Sequence, residues 1–136
     1  MDFSDTSIDL PTLVASIADI CMKPWKHAVV CDNSNFLETS KFDQTNELIM
    51  RIECRSLEGE RHPEKDLELE IFRSGNHLNL VLGWCNQLDK PMLWQGQHSV
   101  WMDGNNGKRC QSPMDAAGLE SLARRLRTLF DQSESI

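Results

Sequence analysis

The segment from Asp66 to Asp103, DLELEIFRSGNHLNLVLGWCNQLDKPMLWQGQHSVWMD, constrains this chain more than any other. Two runs of alternating apolar residues flank Arg73-Ser74-Gly75-Asn76-His77, which is the pattern of a β-hairpin. With Gly75-Asn76 as the turn, Leu67 meets Trp84, Leu69 meets Leu82 and Ile71 meets Leu80 on one face. Glu68, Glu70, Phe72, Asn79 and Val81 then occupy the other. A turn at Ser74-Gly75 changes the pairs but keeps the same face inward, whereas a slip of one residue sets leucine against glutamate along the whole ladder. Ile71 and Leu80 are therefore expected to be buried on the helix side and Glu70 exposed.

The pattern extends in both directions. Beyond the loop NQLDKP, Met92 to Gln95 leads through a bulge or bend at Gly96 into QHSVWMD. Without a bulge, Met92, Trp94, His98, Val100 and Met102 share the core face, leaving Leu93, Gln95, Ser99 and Trp101 outside. One extra residue at Gly96 exchanges Trp94 for Leu93 in the core. Upstream, Leu48, Met50, Ile52 and Cys54 alternate with Ile49, Arg51, Glu53 and Arg55, the signature of a strand with one solvated face. WKHAVVCD reads as a short strand, Asn33-Ser34-Asn35 as a turn, and FLETSKF as a weak edge strand. The run DGNNG opens like a calcium loop but lacks the full ligand set, and reads as a hairpin tip.

A helix is expected at each end. Leu10, Leu13, Val14, Ile17, Ile20 and Cys21 recur at helical spacing over residues 9–23, with Asp9 as cap, Pro11 in the tolerant first turn and Pro24 as the stop. Towards the C-terminus, Ser112 reads as a cap, Pro113 as the first helical residue and Asp115 as the capping-box partner. Leu119, Leu122, Leu126, Leu129 and Phe130 supply the buried stripe of that helix. Arg124, Arg125 and Arg127 are expected near its end, where positive charge suits the dipole.

Composition narrows the function. A formal charge of minus seven disfavours nonspecific nucleic-acid binding, which requires Lys and Arg to neutralise phosphates. No apolar run approaches the roughly 20 residues of a membrane span, and the acidic start is unlike a secretory leader. A cytoplasmic protein with no membrane association is therefore expected. Five cysteines without close spacing read as reduced thiols, not as a disulfide framework or zinc site. His27, His62, His77 and His98 form no ligand or nucleophile motif. The outward row Arg51, Glu53, Arg55, Glu68 and Glu70 reads as cross-strand pairing, because an open sheet face does not desolvate a catalytic carboxylate. No catalytic residue, cofactor or metal is assigned.

The expected fold is α+β and two-layered: an antiparallel meander of five or six strands with the N-terminal and C-terminal helices packed on one face. Residues 1–136 form one domain, with 1–8 and 132–136 as frayed tails. Such a fold leaves the opposite face to be explained. Ile49, Phe72, Val81 and, with an unbulged last strand, Trp101 make an apolar patch there, of the kind that marks an interface. The leading expectation is a non-enzymatic protein-interaction module, an adaptor, regulator or chaperone-like protein that self-associates as a homodimer or binds a protein partner through that face. The alternative is a small-molecule binding protein or enzyme with a pocket lined by Trp84, Trp94 and His98.

Overall fold

The computed structural model describes residues 10–31, 47–74, 77–96, 98–114 and 116–134. Helix α1 (Leu10–Cys21) is followed by seven strands: β1 (Lys26–Cys31), β2 (Glu47–Arg55), β3 (Leu67–Ser74), β4 (His77–Trp84), β5 (Met92–Gln95), β6 (Ser99–Met102) and β7 (Arg109–Cys110). Helix α2 (Ala116–Glu134) closes the chain. The strands form one sheet in sequence order, every neighbour antiparallel, so the meander is complete. This is the α+β arrangement expected, with more strands. The stretch 92–102 makes two strands, and β7 adds a short edge. The Asp9 cap, the Asn33-Ser34-Asn35 turn, the FLETSKF strand, the Gly75-Asn76 turn and Asp115 lie outside the described residues.

The central hairpin has the expected register. Leu67 faces Trp84, Leu69 faces Leu82 and Ile71 faces Leu80. Those side chains point to the helices with Leu48, Met50 and Ile52 of β2, and all are buried. Against them pack Val14 and Ala18 of α1, and Ala116, Leu119, Leu122, Ala123, Leu126 and Phe130 of α2. Period-2 alternation in the strands and a helical stripe above them thus close a single apolar layer. Glu70 lies on the opposite face, half-buried, opposite Val81.

Three details of the helices depart from expectation. Ile20, placed in the α1 stripe, is 52% exposed, and the smaller Ala18 takes the buried position. Regular α2 begins at Ala116, after a turn in which the Ala116 N–H donates to the Pro113 carbonyl at 3.2 Å, so Ser112 and Pro113 precede the helix. At its other end α2 runs on to Glu134, into the stretch expected to fray. Arg124, Arg125 and Arg127 therefore lie in its middle, too far from the C-terminus for the dipole to account for them.

A buried ion pair fastens the loop between β2 and β3. After Arg55 the chain turns, passes a short 3₁₀ segment (Pro63–Lys65) and delivers Asp66, only 2% exposed, beneath the sheet end. Arg61 grips its carboxylate with both terminal nitrogens, at 2.9 and 2.8 Å. The Cys54 N–H, past the last β2–β3 ladder pair, donates to the same carboxylate at 2.8 Å. Arg61 also donates to the Cys54 carbonyl at 2.9 Å, and the Asp66 carbonyl accepts from the Cys85 N–H at 3.0 Å. One side chain thus terminates the ladder and ties three segments together, satisfying donors that burial would otherwise orphan.

The DGNNG run forms the tip of the β6–β7 hairpin as expected. Asp103 accepts from the Asn105 N–H at 2.7 Å through its side chain, and Gly107 adopts φ 72°, a conformation that favours glycine.

Candidate interaction face

Both helices lie on the inner side of the sheet, and among the described residues none covers the outer side. That side divides in two. Over β1 to β3 it is charged: Arg51 stands opposite Glu68, and Glu53 lies between Arg51 and Arg55. The Arg51 Nε–H donates to Glu53 at 3.3 Å, while the Arg55 guanidinium is 3.9 Å from it. These contacts run along one strand, where cross-strand pairing was expected, and pairs this exposed contribute little to stability.

Over β4 to β6 the outer face is apolar. Val81 faces Trp94, which faces Val100, and Met92 faces Met102 in the adjoining row. Gly83 of β4 lies beside Met92; a Cβ added there would approach the Met92 Cβ to 3.3 Å. Trp94 is the most open of this group, 37% exposed. At the hairpin ends the face sinks into a recess of about 380 Å³ between Phe72, His77, Trp94, His98 and Arg109, with Asn79 in its floor, 6% exposed. A Cβ at Gly96 would come within 2.8 Å of the Asn79 Oδ1, so a larger residue there requires the Asn79 side chain to shift.

Of the four residues read from the sequence as an outer patch, Ile49, Phe72 and Val81 lie on this side, each half-buried. Trp101 does not. It is 6% exposed on the inner side, beside Leu93, and its indole N–H donates to Glu120 of α2 at 2.8 Å. Of the core set expected without a bulge, Met92, Trp94, Val100 and Met102 are correspondingly on the outer side and His98 is exposed, while Leu93 is in the core, as the alternative with one extra residue at Gly96 has it. Beyond β5 the Gly96 N–H donates to the His98 carbonyl at 3.2 Å, and Gln95 pairs with Ser99. Pairing of Leu82 with Leu93 then decides which side of β5 and β6 faces the helices. Trp94, placed outside only by the bulged alternative and not counted in the expected patch, stands at the centre of the apolar row.

The expected pocket of Trp84, Trp94 and His98 is not formed. Trp94 and His98 border the outer recess, whereas Trp84 lies on the inner side, 9% exposed, with the Lys90 ammonium 4.6 Å above its ring. Among the described residues no group of three or more His, Cys, Asp or Glu side chains is arranged to hold a metal ion. No helix among them is long and apolar enough to cross a membrane.

A two-layer antiparallel meander with both described helices on one face describes the class of fold, and the comparisons place the chain within a family. Residues 11–129 match the family described as Domain of unknown function (DUF8659), which spans nearly the whole described fold, and the chain belongs to that family. No curated protein and no solved structure shows a significant match.

Proposed function

We propose that this protein is a non-enzymatic interaction module, an adaptor, regulator or chaperone-like protein, which works through the outer sheet face and pairs there with a second copy of itself. The observation that carries this reading is the contiguous row Val81, Trp94 and Val100, flanked by Met92 and Met102, on a side that no helix among the described residues covers. Single exposed apolar side chains are ordinary on any protein, but neighbours across three strands form a patch. Tryptophan is enriched at the centres of interfaces, where it becomes fully desolvated.

Charge supports a second copy as the occupant. The chain carries minus seven overall, which opposes self-association. The outer face, however, mixes Lys26, Arg51, Arg55 and Arg109 with Glu53, Glu68 and Glu70, so neither sign dominates it. Two such faces related by a twofold axis set apolar half against apolar half without the repulsion the rest of the surface imposes.

Sedimentation equilibrium tests the reading. The native chain is expected to sediment as a dimer and Trp94→Glu as a monomer, while Leu57→Glu, at a loop position 66% exposed, stays dimeric. Trp94 is open enough for the substitution to leave the fold intact. A native monomer at high concentration, or a Trp94→Glu dimer, removes the support for this reading.

A further inference from the structure

A second concavity lies between the layers, on the other side of the sheet from the interaction face. It opens where α1 ends and α2 begins, encloses about 250 Å³ and is bordered by Lys23, Trp25, His27, Lys65 and Trp84. The cationic border is unexpected in a chain of charge minus seven; among the described residues no carboxylate lines the cavity. Two indoles, Trp25 and Trp84, also line it, Trp84 with the Lys90 ammonium 4.6 Å from its ring centre. The Lys65 ammonium stands 5.0 Å from the centre of the Trp25 ring, and the edge of that ring meets His62 at 4.8 Å between centroids. A cation over an aromatic face is held at the wall while its charge stays available to a ligand.

The remaining wall is built closely. His27, with a side chain only 2% exposed, is anchored by a 2.9 Å contact from Nδ1 to Asp19 of α1. Gly118, in the first turn of α2, brings that helix against the end of α1; a Cβ there would lie 2.8 Å from the Met22 Sδ and 3.3 Å from the Cys21 carbonyl. The positive end of the α2 dipole thereby borders the same space as Lys23 and Lys65. Cys54 reaches the cavity from β2 directly opposite His27, and burial raises its thiol above the ordinary value, so the sulfur presents an uncharged surface.

We infer that this cavity binds a small aromatic anion, its ring between Trp25 and Trp84 and its acidic group at Lys23 and Lys65. The volume admits one or two rings and is below the usual range for larger ligands such as nucleotides. Desolvated aromatic walls give affinity for the ring, and two ammonium groups select the charge. Carboxylate and phosphate share this chemistry, and direct comparison separates them.

The full-length protein is titrated with phenylacetate, phenyl phosphate and, as the uncharged control, phenylacetamide. Binding is followed by the indole N–H resonances of Trp25 and Trp84 and by the rate of iodoacetamide labelling at Cys21, which also lines the cavity, compared with Cys85, which does not. The anions are expected to shift both indoles and to slow labelling at Cys21 alone; the tighter of the two identifies the acidic group. Lys65→Met and Lys23→Met, which keep the aliphatic stems, are each expected to weaken binding roughly tenfold, the scale of one charge-assisted contact. Two variants are used so that misfolding of one leaves the other as the test. Equal affinity for the amide and the acids, unchanged binding in both variants, shifts confined to Trp94, or no shift at all overturns the inference. None of these results depends on whether the outer face dimerises.

Discussion

Replacing Asp66 by alanine is expected to cost about 3 to 5 kcal/mol of folding free energy, the range for removing one partner of a buried ion pair. Urea unfolding of the two proteins, compared at pH 7, measures it. The magnitude follows from what the carboxylate holds: both terminal nitrogens of Arg61 and the Cys54 N–H, in a residue 2% exposed. Without it the Cys54 N–H loses its acceptor at the end of the β2 ladder. Arg61, with its side chain 34% exposed, can recover water, which places the expected loss nearer the lower end of the range.

The same residue sets a pH dependence. Burial by itself raises the Asp66 carboxyl, but the hydrogen bonds from Arg61 and the Cys54 N–H, with the Arg61 charge, outweigh it and leave it below the ordinary value. The Arg61 guanidinium is raised in turn, first by its hydrogen bonds to Asp66, and stays charged throughout. A carboxyl depressed in the folded state stabilises while ionised. Its contribution is complete above the unfolded value of about 3.9 and is lost as the pH falls through the lower folded value. Asp66→Asn should accordingly flatten the fall in stability below about pH 4, where the native chain loses this contribution. Parallel acid-unfolding curves for the two proteins would assign the acid sensitivity elsewhere.

The second large effect is expected at Leu80. It is 1% exposed at the middle of β4, with Ile71 across one ladder and Gln95 across the other, beneath the helical layer. Leu80→Ala removes buried methyl groups from a place where strands on both sides prevent collapse, and should cost about 2 to 5 kcal/mol. That is a large share of the stability of a domain this size. Leu88→Ala, in a loop where the side chain is 73% exposed, is expected within about 0.5 kcal/mol of native and serves as the comparison. Equal effects at the two positions would mean that the β4 face is assigned wrongly.

The alternating segments of β2, β3 and β4 determined their own inward face, because the side-chain period is two and one parity is apolar almost throughout, whereas the other is mostly polar and interrupted only by Ile49, Phe72 and Val81. Leu48 to Cys54, Leu67 to Ile71 and Leu78 to Trp84 are buried as that pattern requires. The helical spacing of α2 was legible for the same reason. In residues 92–102 both parities are apolar, so local pattern could not rank Met92, Trp94 and Val100 against Leu93 and Trp101. Long-range contacts made that choice: Leu93 pairs with Leu82, and Glu120 of α2 accepts the Trp101 indole N–H. The Asp66–Arg61 clasp, His27 opposite Cys54 and the cavity beside them likewise depend on strand register and on where α1 meets α2. Arg61 and Asp66 are only five residues apart, but Cys54, His27 and the two helices come to them from distant parts of the chain, become neighbours only when the sheet closes, and no spacing along the sequence records it.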